Sequence, residues 1–209
     1  MNSSNLYLFF IASLLLNITP GNDMIYVASR SVSQGPKAGY HSALGIFIGC
    51  FVHIGAAIFG LSVVIARSAF LFELIKYAGA LYLAYLGIRM VLTRSSAVDS
   101  IKTMPVQTNR QLLKQGIITS ALNPKVALFF LSFLPQFVDV SSPYLNVHLF
   151  TLGLWFGLQG TSILLIVAFF MGKTTNFIKQ RPLFWVWQER FAGIVMLFLS
   201  IKLALISKK

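Results

Sequence analysis

Two short segments carry the residue types with which this chain could do chemistry. Asn17-Ile18-Thr19-Pro20-Gly21-Asn22-Asp23 lies in the middle of one apolar stretch, and Asn123-Pro124-Lys125 lies near the midpoint of another. Proline removes a backbone donor and clashes with the preceding turn, and glycine loosens the chain further. Each segment therefore predicts a helix that breaks. In a hydrocarbon surrounding, the N–H and C=O groups freed by a break can be met only by protein, water or a bound molecule. Both breaks must face a bundle interior or a cavity.

Each break is followed by a charge. Asp23 suits the first turn of the helix that restarts, where free amides and the helix dipole favour an acid. That placement is compatible with function, because intramembrane carboxylates mark substrate and proton pathways. Lys125 opposes the dipole at its helix start, and from mid-span its stem is poorly placed to reach a headgroup. Its expected partner is Asp23 or an anion in the cavity. A free amino acid carries an ammonium and a carboxylate on one carbon. Asp23 on one half-helix and Lys125 on the other could hold both ends, and free amides beside Pro20-Gly21 or Pro124 could also take the carboxylate. The candidate substrate-binding residues are Asn17, Thr19, Pro20, Gly21, Asp23, Asn123, Pro124 and Lys125.

Other polar residues fall at similar depth. His53 could relay protons beside Asp23, although such a histidine is more often a satisfied interhelical hydrogen bond. Gln159 reads first as a polar tie between helices. Tyr82 and Tyr85 share a helix face and either line a cavity or merely pack. Gly45/Gly49 and Gly153/Gly157 have the spacing of close helix contacts and are assigned no chemistry.

The elements that position these residues follow from composition. Of the 209 residues, 56% are hydrophobic and 11% charged; a charged share near 25% is usual for soluble domains. A bilayer suits such a chain. Six apolar stretches, roughly Asn5–Arg30, Ala38–Ala66, Phe70–Leu92, Leu112–Val138, Val147–Met171 and Phe191–Ile206, predict an all-α integral membrane protein of six spans. The last stretch is short and leaves a five-span count open unless it begins near Trp185.

The two halves resemble each other. Lys76-Tyr77-Ala78-Gly79 matches Arg190-Phe191-Ala192-Gly193, Gly45/Gly49 matches Gly153/Gly157, and Asn17…Pro20 matches Asn123-Pro124, in order and at offsets of 104–114. A duplicated three-helix unit has an odd number of spans, so its second copy is inverted. The expected organisation is one membrane domain: a first repeat over 5–92, a cytoplasmic loop over 93–111 and a second repeat over 112–206. Basic residues set its orientation. Eleven flank the first, third and fifth connections and five the opposite side, which puts the central loop in the cytoplasm and both termini outside.

The net charge of +12 follows that loop bias. With no basic stripe interleaved with aromatics, nucleic acid is not an expected partner. No nucleophile elbow, phosphate-binding glycine loop or HExxH spacing is present, so no enzyme is expected. Five acids and one cysteine leave no basis for a metal site or an internal two-thiol relay, and no cofactor is called for. The expected partners are an amino-acid substrate, protons and the bilayer, with a homo-oligomer left open.

The motif set closely resembles the LysE/RhtB family of amino-acid exporters. The resemblance is carried by Thr19-Pro20-Gly21-Asn22-Asp23, Ser31-x-x-Gln34-Gly35-x-x-Ala38-Gly39, Ala43-Leu44-Gly45-Ile46-x-x-Gly49, Gly79-Ala80-x-Tyr82-Leu83-x-Tyr85-Leu86-Gly87, Asn123-Pro124-Lys125-x-x-x-Phe129-Phe130 and Leu134-Pro135-Gln136-Phe137. It runs over about residues 5–206. It implies efflux of amino acids such as threonine, homoserine, leucine, lysine or arginine from the bacterial cytoplasm, driven by inward proton movement. The family usually has a second proline after Thr-Pro-Gly, where this chain has Asn22, which implies a softer break.

Overall fold

The computed structural model describes residues 3–67, 69–92, 104–139, 142–173 and 182–205, and every regular element among them is helical. Six of the sixteen basic residues counted for orientation, Arg94, Lys102, Lys179, Arg181, Lys208 and Lys209, lie outside the described residues.

The first apolar stretch forms two helices, α1 (Ser3–Ile18) and α2 (Asn22–Gln34), divided at Thr19-Pro20-Gly21. α2 ends at Gly35, whose φ of 82° needs glycine, and Pro36 opens α3 (Pro36–Arg67). α4 (Ala69–Leu92) follows. α5 (Asn109–Ala121) starts with a capping box between Thr108 and Gln111. It stops before α6 (Pro124–Leu128), so the fourth stretch also breaks at its proline. α6 runs on into a π turn (Phe129–Phe133) and a 3₁₀ turn (Leu134–Phe137). Pro135 has no N–H to give to a continuing α-helix, and the ladder loosens around it. α7 (Leu145–Lys173) and α8 (Pro182–Leu205) complete the chain.

α3 and α7 rise about 48 and 44 Å at 1.5 Å per residue. Both are long and apolar enough to cross a membrane, α3 over Pro36–Gly60. α5 and Pro124–Phe137 together pass as one span bent by 44°. Large apolar side chains such as Phe59, Leu81 and Ile201 point outward, as a lipid-facing surface requires. The chain is an all-α membrane protein. α8 starts well before Phe191, because Gln188-Glu189-Arg190, polar enough to read as a loop, lies within its first turns.

Small residues bring the helices together, as expected where lipid gives no hydrophobic drive to association. A Cβ on Gly45 would collide with the Leu113 carbonyl, and one on Gly49 would lie 2.6 Å from the Ile117 carbonyl oxygen, so α3 packs backbone to backbone on α5. Gly87 and Gly193 do the same reciprocally for α4 and α8, each with the other's carbonyl oxygen 2.8 Å from its would-be Cβ. The interior falls into two apolar clusters. One holds Phe9, Ala12 and Leu16 of α1 with Phe129, Phe130, Phe133 and Phe156. The other holds Met24, Tyr26 and Val27 of α2 with Ala43, Ile46, Leu164 and Ala168. α1 belongs to the first cluster and α2 to the second, so the break in their span falls at the seam.

Candidate functional site

At the end of α1, Leu16 would ordinarily receive an N–H from the residue four positions on, which is Pro20 and has none. Thr19 N–H folds back to Leu15 and Leu16 carbonyls at 3.1 and 3.2 Å, and its hydroxyl donates to Leu15 O at 2.7 Å. The remaining acceptor capacity is met from across the seam. Lys125 Nζ donates to Leu16 O at 3.2 Å and to Thr19 O at 2.9 Å. An ammonium at a helix C-terminus has the favourable sign. The charge that is misplaced on its own helix is well placed on its neighbour. Gly21 permits this approach: a Cβ there would stand 3.1 Å from Lys125 Nζ.

Gly21 is also the N-cap of α2, in extended conformation and with no side chain to cap the first amides. Asp23 sits in that first turn. Its Oδ1 is buried without a hydrogen-bond partner, and Lys125, Asn123 and His53 are its polar neighbours. Among the described residues Asp23 and Lys125 form no direct ion pair. The two charges share a site without neutralising each other by contact.

The second break is capped from within. Asn123 Oδ1 accepts from Lys125 N at 3.0 Å, with Pro124 in the first helical turn. The Asn123 Nδ2 is buried and unpartnered. His53, on α3, hydrogen-bonds through Nε2 to Ser120 O at 2.7 Å. A carbonyl only accepts, so the proton is on Nε2. Asn17 donates to Phe156 O and to Gln159 Oε1, both at 3.2 Å, tying α1 to α7.

These groups surround a partly open cavity. Asn17, Thr19, Asp23, Ser120, Lys125 and Thr161 supply its polar lining, and Met24, Ile46, Phe47, Cys50, Val126, Phe156 and Leu164 its apolar lining. Of the sequence-predicted residues, Asn17, Thr19, Asp23 and Lys125 meet there. Pro20, Gly21, Asn123 and Pro124 shape the breaks behind them. His53 stands behind the wall on Ser120, and Gln159 behind Asn17. Tyr82 and Tyr85 lie on α4 with ring centroids 6.2 Å apart, outside the lining, and Tyr85 is exposed.

The LysE type translocator family profile matches residues 14–207, nearly the whole chain and both breaks. The chain belongs to the LysE family. Among similar proteins of this family are the leucine efflux proteins of Salmonella typhimurium (strain LT2) and Enterobacter sp. (strain 638). Each is 32% identical, over 148 and 138 residues, covering 71% and 66% of this chain and 70% and 65% of those proteins. The uncharacterized membrane protein YrhP of Bacillus subtilis (strain 168) is 31% identical over 203 residues, 93% of this chain and 95% of that protein. No solved structure matches.

Part of the site of this LysE protein was hidden in its sequence. Phe47, Cys50, Phe156, Gly157 and Leu164 line the cavity from α3 and α7, two helices whose apolar residues are spread over every side. No periodicity distinguishes a cavity-facing position there from a lipid-facing one. Two small polar residues carry a local signal, Ser120 three positions before Asn123 and Thr161 two after Gln159.

Proposed function

We propose that this LysE-family protein exports small neutral amino acids, such as threonine, homoserine or leucine, from the bacterial cytoplasm across the inner membrane in exchange for protons. The observation that carries this reading is the cavity at the seam of the two breaks. It contains a buried carboxylate oxygen with no partner, an ammonium whose two known bonds run to the backbone at the first break, and an uncapped helix N-terminus. A zwitterion suits that set. Its ammonium goes to Asp23, and its carboxylate goes to the first amides of α2 and to Lys125. Asn17, Thr19 and Asn123 hold these groups in place, with Pro20, Gly21 and Pro124 keeping the backbone open. Asp23, with His53 behind it, is the route for the coupled proton.

The relatives named for leucine efflux support an apolar substrate side chain, and so does the lining by Phe47, Phe156 and Leu164. The polar lining argues against a non-transporting subunit, for which a dry seam is expected. Lys125 argues against basic amino acids and metal cations. The reading extends to six spans in two inverted repeats, 5–92 and 112–206, around a cytoplasmic loop at 93–111, with both termini outside. The two broken spans and the pairing of α3 with α7 and of α4 with α8 support it.

The test is growth on a panel of toxic amino-acid analogues with the protein overexpressed. The expected result is resistance to an analogue of a small neutral amino acid, lost in Asp23→Asn and reduced at least tenfold in Lys125→Met at equal membrane levels. Resistance undiminished in both variants would overturn the proposed site.

A further inference from the structure

We infer that Gly157 sets the largest side chain this transporter carries; the inference rests on the cavity being the amino-acid site. The cavity is divided chemically. Its charged groups, Asp23 and Lys125, gather at the breaks, and an apolar wall is built from Phe47 and Cys50 on α3 and Phe156 on α7, with Gly157 among them. An amino acid held by its charged ends turns its side chain to that wall.

Three glycines on α7 have different reasons to lack a side chain. A Cβ on Gly153 would lie 2.8 Å from Ile54 Cγ1 and 3.0 Å from Phe130 Cε1, and one on Gly160 would lie 2.8 Å from Asn17 Oδ1. Packing demands glycine at 153, and glycine at 160 leaves room for the Asn17 amide, itself part of the polar lining. A Cβ on Gly157 would stand 3.3 and 3.4 Å from two ring carbons of Phe47 and 3.5 Å from Cys50 Sγ. A methyl group fits there after a ring shift of a few tenths of an ångström. All three atoms it would touch belong to residues of the cavity wall. Helix packing does not require glycine at 157, so what the missing methyl provides is room for substrate. In an apolar pocket one methylene changes discrimination by about 10- to 200-fold.

The test is exchange of labelled alanine, valine and leucine in proteoliposomes containing wild type, Gly157→Ala or Gly153→Ala. In Gly157→Ala the leucine-to-alanine rate ratio is expected to fall at least tenfold, with valine between. In Gly153→Ala the three rates move together, because a packing defect does not distinguish substrates. Ratios are independent of how much protein inserts, and Gly157→Ser repeats the measurement should the alanine variant not insert. A ratio within twofold of wild type in Gly157→Ala or its serine substitute, or an equal ratio change in Gly153→Ala, would overturn the role of Gly157 alone. A wild type that exchanges none of the three would overturn the apolar side-chain reading of the substrate, and this inference with it.

Discussion

The cavity lies at the seam between two regions held together by opposite kinds of chemistry. Toward α1, Phe9, Phe129, Phe130, Phe133, Phe137 and Phe156 form a continuous aromatic cluster with ring centroids 4.8–6.1 Å apart. Toward α2 the contacts are a set of hydrogen bonds to the start of α5 and the segment before it. Tyr26 Oη donates to Leu112 O at 2.8 Å, Arg30 to Pro105 O at 2.9 Å and to Gln115 Oε1 at 2.8 Å, and Met104 N to Ser33 Oγ at 2.8 Å. Gln34 bonds both backbone groups of Gln107, at 2.9 and 3.0 Å. Hydrogen bonds that open can be replaced by bonds to water, so each has a net value of about 0.5–1.5 kcal/mol. Ring packing has no equal substitute, because water returns less dispersion contact and exposed apolar surface is costly. In an alternating-access cycle the hydrogen-bonded end is therefore the one that opens at the smaller cost.

The largest expected effect belongs to the aromatic end. Phe129 is buried and its ring meets Phe9, Phe130, Phe133 and Phe156. Phe129→Ala is expected to destabilise the protein by on the order of 3 kcal/mol, chiefly through the cavity it leaves, since lipid is as apolar as the interior. Thermal survival in detergent, read as the monodisperse fraction after heating, measures this. If Phe129→Ala survives as well as the variants of the hydrogen-bonded end, the contrast between the two ends is wrong.

The two breaks were legible because proline acts through its own backbone. Pro20 and Pro124 interrupt helices wherever they stand, and both interruptions appear where the sequence puts them. That Asp23 and Lys125 share a cavity also follows from their positions just past those breaks. The target of the Lys125 ammonium did not. Its acceptors, Leu16 O and Thr19 O, are carbonyls that every residue owns, and only the fold brings them near. Gly157 shows the same limit. Its spacing from Gly153 announced close packing, but whether a glycine serves the packing or the cavity depends on what its missing methyl would touch. For the last span the earlier start, near Trp185, is the one the structure adopts, since the helix begins at Pro182 and Gln188-Glu189-Arg190 do not interrupt it.

A middle-sized effect is expected at Arg30. Its guanidinium is buried, its Nε has no partner, and among the described residues no carboxylate pairs with it. Two carbonyl acceptors and the Tyr26 ring, 5.7 Å away, hold it instead. Arg30→Gln removes two charge-assisted bonds and relieves one buried charge, for a net loosening of about 2 kcal/mol. That corresponds to an approximately 30-fold larger open population at this end. Cys50 reports it directly. It is the chain's single cysteine, buried and facing the cavity, so its rate of maleimide labelling follows the opening. An unchanged rate in Arg30→Gln would mean that the hydrogen-bonded end is not the one that opens.

The smallest effects separate two glutamines that the sequence makes look equivalent. The Gln34 side chain makes both bonds to Gln107, but it makes them to the Gln107 backbone. The Gln107 side-chain oxygen is buried with no partner. Gln34→Ala therefore leaves a backbone N–H and C=O to find water, and is expected to loosen the closure by about 1 kcal/mol, a roughly fivefold faster labelling of Cys50. Gln107→Ala breaks neither bond and removes an unsatisfied buried acceptor, so labelling is expected to stay within twofold of wild type or to slow. Equal acceleration by both substitutions would place the strength of this end in general side-chain packing, like the aromatic end, and the distinction between the two would fail.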